Sequence, residues 1–130
     1  MEALHLHLHD TLSGTAVPFV PRHPGEARVY CCGPTTYDIA HVGHARAALA
    51  PDILVRHLRA RGLRVTYARN ITDVDDKINE RAARDFPGVP LNKAIRELTE
   101  GTAVIFRQDI AALGSLPPTV EPRATEHISE

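Results

Sequence analysis

Residues 28–44 read RVYCCGPTTYDIAHVGH, and this stretch decides the fold. Its first part, Arg28–Cys32, lacks polar alternation, which predicts a buried parallel strand. A helical pattern follows from about His44 to Arg61. His41 and His44 are three residues apart at the start of that helix, so we expect them on one face. Because the first N–H groups of a helix are unpaired and favour anions, the stretch predicts a phosphate-handling site with a thiol close by.

A second strand is predicted after the helix, over Val65–Arg69, once Gly62 has ended the helical pattern. Strand, helix and strand make a right-handed crossover unit. We therefore predict an α/β fold that holds the first half of a doubly wound, Rossmann-like parallel sheet. Such sheets bind ligands beyond the carboxyl ends of their strands. Both strands lead into motifs, Cys32-Gly33 and Asn70-Ile71-Thr72, so these motifs are expected to share one site.

The N-terminus is predicted to form a small β-hairpin. Leucine and histidine alternate over Leu4–His9, which places the two residue types on opposite faces of a strand. Ser13-Gly14 is a predicted turn, and Thr15–Val20 is the partner strand. We expect residues 1–26 to form this hairpin and residues 27–130 to form the sheet domain. A solvated face is preferred over a metal site for the three histidines, because no acidic or thiol ligand lies near them in sequence: His5, His7 and His9.

Helical patterns fill most of the remaining chain. Asp73 is expected to cap a helix over Val74–Arg84, with Asp76 three residues later on the capping-box pattern. A longer helix is predicted from Pro90 to about Leu113, and another is expected to begin near Glu121. The apolar stripe predicted for the longer helix is Leu91, Ile95, Leu98, Ile105 and Leu113.

Pro51 lies inside the first predicted helix. It removes one backbone hydrogen bond and crowds the preceding turn, so a kink or a later helix start is expected. The apolar stripe predicted for this helix is Ala50, Ile53, Leu54, His57 and Leu58.

Composition indicates a folded chain. Of its 130 residues, 43% are hydrophobic and 24% are charged, which argues against disorder. The formal charge of −1 and the absence of a basic stripe argue against a stand-alone RNA-binding protein. Cys31 and Cys32 are adjacent, so no disulfide framework is expected, and a reducing compartment fits. No apolar run of about 18 residues and no signal-peptide pattern occurs, so a cytoplasmic protein without a membrane span is expected.

Three motifs resemble those of the cysteinyl-tRNA synthetases, a family of class I aminoacyl-tRNA synthetases. They are the Cys32–Asp38 run, the tetrad His41-Val42-Gly43-His44 and the stretch Asn70–Lys77. They stand in the family's order and at its distances, and the resemblance continues to Glu121–Ile128. It implies the N-terminal part of a nucleotidyl-transferase catalytic domain. The implied activity is that of a cysteine–tRNA ligase, which activates L-cysteine with ATP and transfers it to tRNA-Cys.

The resemblance also implies roles for the tetrad. His41 and His44 are expected to be catalytic, because they can donate hydrogen bonds to ATP phosphates as negative charge builds up. Gly43 is expected to let the nucleotide approach the backbone. The alternative is that both histidines only cap the helix and pack.

Cys32 is implied to be one ligand of a zinc ion that contacts the substrate thiol. Zinc prefers a thiolate to a hydroxyl, so such a contact separates cysteine from serine. Gly33, Thr35 and Thr72 are expected to bind the substrate cysteine. The alternatives are a buried structural thiol at Cys32 and helix capping by Thr72. Cys31 is interpreted as a core residue.

The resemblance further implies Mg²⁺ with ATP. Asp73, Asp75 and Asp76 have two interpretations, magnesium ligands or capping and rigidity, and the second is preferred. In the family, the other zinc ligands and a Lys-Met-Ser-Lys-Ser loop lie further along than residue 130. We therefore expect the front part of a catalytic domain, inactive alone. Half a sheet also exposes an edge, which favours self-association.

Two other functions stay open. One is a related ligase that joins cysteine to an amino-sugar inositol in mycothiol synthesis and shares the thiol and histidine motifs. Asp75-Asp76-Lys77 and Pro122–Thr125 look more like the synthetase. The other is a non-catalytic, truncated paralogue that binds cysteine or an adenylate.

Overall fold

The computed structural model describes residues 5–128 and has the predicted α/β class. Two two-stranded sheets are present in this range, an antiparallel hairpin and a parallel pair. The elements in chain order are β1 (His7–Asp10), β2 (Thr15–Pro18), β3 (Glu26–Cys31), α1 (Val42–Ala60), β4 (Arg64–Arg69), α2 (Asp76–Asp85), α3 (Leu91–Ala112) and a 3₁₀ turn (Ala124–Glu126).

The N-terminal hairpin is confirmed, with β1 antiparallel to β2. Gly14 in the turn has a φ of +68°, a backbone conformation that glycine adopts without strain. His5, His7 and His9 are exposed while Leu6 and Leu8 are half-buried, so the solvated histidine face is also confirmed. Leu4, the first residue of the predicted strand, lies outside the described residues.

The predicted crossover is present, since β3 and β4 are parallel and α1 connects them. Gly62, with a φ of +83°, follows the end of α1 as expected. The hairpin contributes half-buried Leu6 and Phe19 to the edge of the core. The buried residues of this core, which joins α1 to the sheet, are Ala27, Val55, Leu58, Leu63, Val65 and Tyr67.

One face of the parallel pair is open among the described residues. Tyr30 in β3 is 68% exposed, and Thr66 in β4 is exposed. The expectation that β3 is buried on both faces is therefore wrong within residues 5–128, where its side chains alternate between the two environments. The observed extent is a small parallel sheet whose α1 side is covered.

A further strand-like segment extends this sheet where a helix was expected. Isolated parallel bridges join Ala68 to Val120 and Ile71 to Arg123, so the segment lies along the free edge of β4. The helix expected to begin near Glu121 is reduced to the 3₁₀ turn Ala124–Glu126. Backbone groups of residues 119–124 bond instead to Tyr67, Arg69 and Ile71, because the edge of β4 offers unpaired donors and acceptors.

The predicted bounds of α3 are confirmed, but α2 begins two residues later than predicted and α3 buries a different face. Asp75 caps α2 through a 2.8 Å hydrogen bond from the Lys77 N–H, so the predicted cap at Asp73 and the box with Asp76 are wrong. In the predicted stripe of α3, Leu91, Ile105 and Leu113 are exposed, whereas Ile95 and Leu98 are half-buried. The residues that α3 buries are Ala94, Thr99, Ala103, Phe106 and Ile110.

Helix α1 runs through Pro51 without interruption. A later start is therefore wrong, and the kink stays a prediction. The predicted stripe holds at Leu58, but Ile53 is 67% exposed. Its buried residues are Ala48, Asp52, Val55 and Leu58.

Buried Asp52 ties α1 to the loop after α3. Its carboxylate accepts from the Leu116 N–H at 2.9 Å and from Arg56 Nε at 2.8 Å. A buried carboxylate needs such partners.

None of the helices formed by residues 5–128 is both long and apolar enough to cross a membrane.

Candidate active site

The loops that follow β3 and β4 are joined by backbone hydrogen bonds at the carboxyl edge of the sheet. Thr36 N–H donates to Thr72 O at 3.1 Å, and Thr72 N–H donates to Pro34 O at 3.0 Å. The fully buried Thr36 hydroxyl adds a third bond between the loops, donating to Thr72 O at 3.3 Å. The structure therefore brings together the two motifs that the sequence analysis assigned to one site.

Asn70 provides a second connection between the two loops. Gly33 N–H donates to Asn70 Oδ1 at 2.7 Å, and Asn70 Nδ2 donates to Thr72 Oγ1 at 3.3 Å. Asn70 belongs to one of the sequence motifs, but the motif alone predicts no role for its side chain. An amide residue directly after a buried strand was the available signal, because amides both donate and accept.

The two histidines of the tetrad cap α1 reciprocally. Gly43 N–H donates to His41 Nδ1 at 3.0 Å, and His41 N–H donates to His44 Nδ1 at 3.2 Å. The ring centroids are 4.2 Å apart. The expectation that both imidazoles share the helix start is confirmed. Both rings also cap the helix, which is one part of the alternative that they only cap and pack.

Capping through Nδ1 determines the tautomer of each ring. A nitrogen that accepts a hydrogen bond carries no proton, so a neutral ring must carry its proton on Nε2. No hydrogen bond within residues 5–128 uses the Nε2 of either His41 or His44. Each ring therefore caps the helix with one nitrogen and keeps an N–H donor on the other. Capping and phosphate binding do not exclude each other here.

Gly43 has a steric reason to be glycine in addition to the expected nucleotide approach. A Cβ at this position would lie 2.7 Å from Cε1 and 3.0 Å from Nδ1 of His41. A side chain there would push the His41 ring away and break its cap.

The two cysteines differ in environment. Cys31 is half-buried against the core, and burial together with the neighbouring Cys32 raises the pKa of its thiol. Cys32 is exposed, and its Sγ lies 3.6 Å from Gly33 O. The core interpretation of Cys31 is confirmed. The alternative of a buried structural thiol at Cys32 is wrong, because this thiol faces solvent.

A small cavity of about 60 Å³ adjoins the thiol and the tetrad. Cys32, Gly33 and His44 line it on one side. Its remaining wall is formed by Pro34, Ala47, Ala48, Arg69 and Phe106. Thr35 and Thr72 are half-buried and stand outside this lining, at the bridge between the two loops.

Arg69 is a residue that the sequence analysis missed. It is 3% exposed, it pairs with Glu121 at 3.3 Å, and its guanidinium lies 5.2 Å from the centroid of the Phe106 ring. Its Nε and Nη1 have no hydrogen-bond partner among residues 5–128. A buried arginine beside the thiol cavity contributes positive charge to this edge of the sheet.

The aspartates of the Asn70–Lys77 motif make different contacts. Asp73 accepts from the Thr125 N–H at 3.0 Å and from the Thr125 hydroxyl at 2.7 Å, and it lies 3.2 Å from Arg123 Nε. Asp75 caps α2. Thr72 is not the cap of this helix, so the capping alternative for Thr72 is wrong. These contacts agree with the preferred interpretation of rigidity and capping.

Helix α2 also holds the loop that follows β3. Arg81 pairs with Asp38 at 3.0 Å, and the Lys77 ammonium lies 5.6 Å from the centroid of the Tyr37 ring. Hydrogen bonding from the Ile39 N–H, aided by the charge of Arg81, lowers the pKa of Asp38.

The part of the chain that the structure describes holds no cluster of three His, Cys, Asp or Glu side chains suited to a metal ion. Cys32 is therefore a single thiol donor here. A zinc site takes four ligands when structural and three when catalytic, so this donor set does not complete one.

The class I tRNA synthetase (C) catalytic domain family matches residues 18–130. A cysteine–tRNA ligase of a Bradyrhizobium strain is 58% identical over 129 residues, which cover 98% of this chain and 27% of that protein. One from Rhodopseudomonas palustris is 58% identical over 129 residues and covers 98% and 28%. One from Nitrobacter hamburgensis is 56% identical over 128 residues and covers 96% and 26%.

The chain thus spans about a quarter of the length of the curated relatives it matches. The family match covers most of the chain, including both motifs that meet at the sheet edge. The chain belongs to the family of class I (C) tRNA synthetase catalytic domains.

Proposed function

We propose that this chain forms the front part of a cysteine–tRNA ligase, which activates L-cysteine with ATP and transfers it to tRNA-Cys. The observation that carries the proposal is the shared cavity of Cys32, Gly33 and His44 at the carboxyl ends of two parallel strands. Ligands of open α/β sheets bind at that edge. The names of the relatives, all cysteine–tRNA ligases, support the same activity.

In the proposed reaction, a carboxylate oxygen of cysteine attacks the α-phosphorus of ATP, and the bond from that phosphorus to pyrophosphate breaks. Negative charge grows on the phosphate oxygens. We propose that His41 and His44 donate Nε2–H hydrogen bonds to them, next to the positive end of α1. Because each Nδ1 is held by a backbone N–H, neither ring needs to turn to present its donor.

Gly33, Thr35 and Thr72 are proposed to bind the substrate cysteine. Three hydrogen bonds hold the Thr72 backbone and so keep its hydroxyl in place. Thr72 O accepts two of them from Thr36, and Thr72 N–H donates the third to Pro34 O. The backbone of Gly33 forms part of the cavity wall beside the exposed Cys32 thiol. These features support a small amino-acid pocket rather than a macromolecular surface.

Cys32 is proposed as one ligand of a zinc ion that selects the substrate thiol. Its exposure supports the assignment, and the absence of companion ligands within residues 5–128 means that the other donors would have to come from elsewhere in a complete enzyme. Mg²⁺ is proposed to accompany ATP, with Asp73 and Asp75 outside its ligand set because both are already engaged.

We further propose a Rossmann-like second half that covers the open face near Tyr30 and a boundary between the hairpin and the sheet domain at residue 26. We also propose that the isolated chain self-associates through its sheet edge and that the protein is cytoplasmic.

The proposal is tested by cysteine-dependent exchange of labelled pyrophosphate into ATP, with the complete gene product that carries this chain. Exchange that requires cysteine and is lost in His44→Ala supports adenylation at this site. Aminoacylation of tRNA-Cys then has to be compared with ligation to the amino-sugar inositol. Product only with the amino sugar would transfer the assignment to the mycothiol-pathway ligase. Cysteine binding without exchange would favour the non-catalytic paralogue.

A further inference from the structure

We propose that Asn70 is a positioning residue that makes the Thr72 hydroxyl a hydrogen-bond donor toward the substrate cysteine. The inference rests on the proposed function, since it needs Thr72 to contact that substrate. It adds a residue that neither the motifs nor the family match assigned.

The orientation of the Asn70 amide follows from its neighbour Gly33. The Gly33 N–H can only donate, and it lies 2.7 Å from the Asn70 side chain. The atom that faces it must therefore be the carbonyl Oδ1. The amide nitrogen Nδ2 is then turned toward Thr72 Oγ1, at 3.3 Å.

This orientation determines what the Thr72 hydroxyl can do. Nδ2 carries only hydrogens, so Thr72 Oγ1 must accept from it, and the hydroxyl proton is left to donate elsewhere. Within residues 5–128 the hydroxyl donates to no protein acceptor. The proton is available to a ligand acceptor at the carboxyl edge of the sheet.

The chemistry of cysteine limits what this donor can meet. The carboxylate and a thiolate accept hydrogen bonds, whereas the ammonium only donates. The donor of the Thr72 hydroxyl therefore suits the carboxylate or the thiolate of the substrate, and the ammonium offers it no acceptor. Asn70 would set the orientation of the bound amino acid without touching it.

Asn70→Asp isolates this role, because aspartate has the same shape and keeps an acceptor for the Gly33 N–H. Its second oxygen would face Thr72 Oγ1 and cannot donate, so the hydroxyl would turn to donate to it. The substrate would then lose its donor. In the complete gene product we expect the KM for cysteine to rise about tenfold, the value of one hydrogen bond, with the KM for ATP unchanged.

A double-mutant cycle tests whether Asn70 acts through Thr72. Thr72→Val removes the hydroxyl, and Thr72→Ser retains it. We expect Thr72→Val to raise the KM for cysteine like Asn70→Asp, Thr72→Ser to leave it near the original value, and the N70D/T72V double variant to show no further rise. Asn79→Asp, on the exposed surface of α2, introduces the same charge and is the matched control.

Additive effects of the two substitutions, or an equal rise in the KM for ATP, would overturn the inference while leaving the proposed function intact. An unsubstituted protein without any exchange would overturn the proposed function and this inference with it. If Asn70→Asp does not fold, the side-chain amide protons of Asn70 are followed by NMR. Thr72→Val should shift one of them strongly and Thr72→Ser should not, and an unchanged signal in Thr72→Val would refute the contact.

Discussion

The carbonyl oxygen of Asn70 occupies the space that a side chain on Gly33 would need. A Cβ on Gly33 would lie 1.6 Å from that oxygen and 2.8 Å from the carbonyl carbon of Asn70. Both are backbone atoms, so they cannot turn aside as a flexible side chain can. The close approach of the two loops at the sheet edge therefore requires glycine at position 33.

Replacing Gly33 with alanine should separate the two loops. Because backbone would have to move, we expect the free energy of unfolding to fall by about 3 kcal/mol or more. Urea denaturation measures the change. Gly101→Ala is the matched control, since a Cβ there meets nothing within 4 Å in the exposed part of α3, and it should stabilise by about 0.5–1 kcal/mol. Equal stability of Gly33→Ala and the original protein would contradict the close contact.

His44→Gln should separate capping from catalysis. Glutamine at this third helical position can keep the bond from the His41 N–H, so stability should change by less than about 0.5 kcal/mol. Pyrophosphate exchange should fall by about 10²–10³-fold, because the Nε2–H donor is lost. His44→Ala should lose about 1 kcal/mol of stability as well.

The control for this pair is His57→Gln, which changes an exposed histidine in the last turn of the same helix. It should leave both exchange and stability unchanged. Full activity in His44→Gln would show that the ring serves only as a cap.

The tautomers of His41 and His44 can be observed directly. Both Nδ1 atoms accept backbone hydrogen bonds, so the neutral rings should carry their protons on Nε2. Long-range ¹H–¹⁵N correlation spectra of the side chains should show this pattern for both residues. A protonated Nδ1 on either neutral ring would be incompatible with the reciprocal caps.

The two adjacent thiols should react at different rates. Cys32 is exposed, whereas burial raises the pKa of Cys31 and lowers its thiolate fraction near neutral pH. Limited treatment with iodoacetamide, followed by peptide mass spectrometry, should therefore find alkylation first at Cys32. Cys32→Ser should remove the fast phase, and Cys31→Ser should retain it. Faster modification of Cys31 would argue against Cys32 as an accessible metal ligand.

Acid should weaken the ion pairs at the end of α2. Hydrogen bonds from Arg84 and Arg81 lower the pKa of Asp85 from 3.8 to about 2. A lowered pKa in the folded state stabilises it above the unfolded value, and that contribution is lost as the pH falls from about 4 to about 2. Asp85→Asn should therefore be less stable than the original chain at pH 6, and the two should converge near pH 2.

Denaturation in urea across this pH range checks the expectation. Because Asp85 lies at the surface, the difference at pH 6 should be small. A difference that persists unchanged at pH 2 would assign the effect to packing rather than to charge.

The local patterns of the sequence predicted most of the elements. Period-two leucine and histidine identified β1, and the run Arg28–Cys32 identified β3, which is found at Glu26–Cys31. Helical spacing with Gly62 placed the end of α1. These signals lie within a few residues of each other, so they can be recognised without knowing which other segments are in contact.

Partners distant in sequence decided what sequence reasoning could not. Asp73 follows the capping pattern, yet it bonds to Thr125, 52 residues away. Residues 119–123 lie beside β4 and extend the sheet, because the edge of β4 offers unpaired backbone groups. In both cases a tertiary hydrogen bond replaced the local one that the pattern suggested.

The sequence by itself determined which chemical groups are present and that a motif follows each strand of a strand–helix–strand unit. The tertiary structure alone decided how those groups are used. It turned Nδ1 of His41 and His44 inward as caps, and it placed Asn70 between Gly33 and Thr72. The physical reason is that hydrogen-bond direction depends on where donors and acceptors meet in space, which spacing along a chain does not specify.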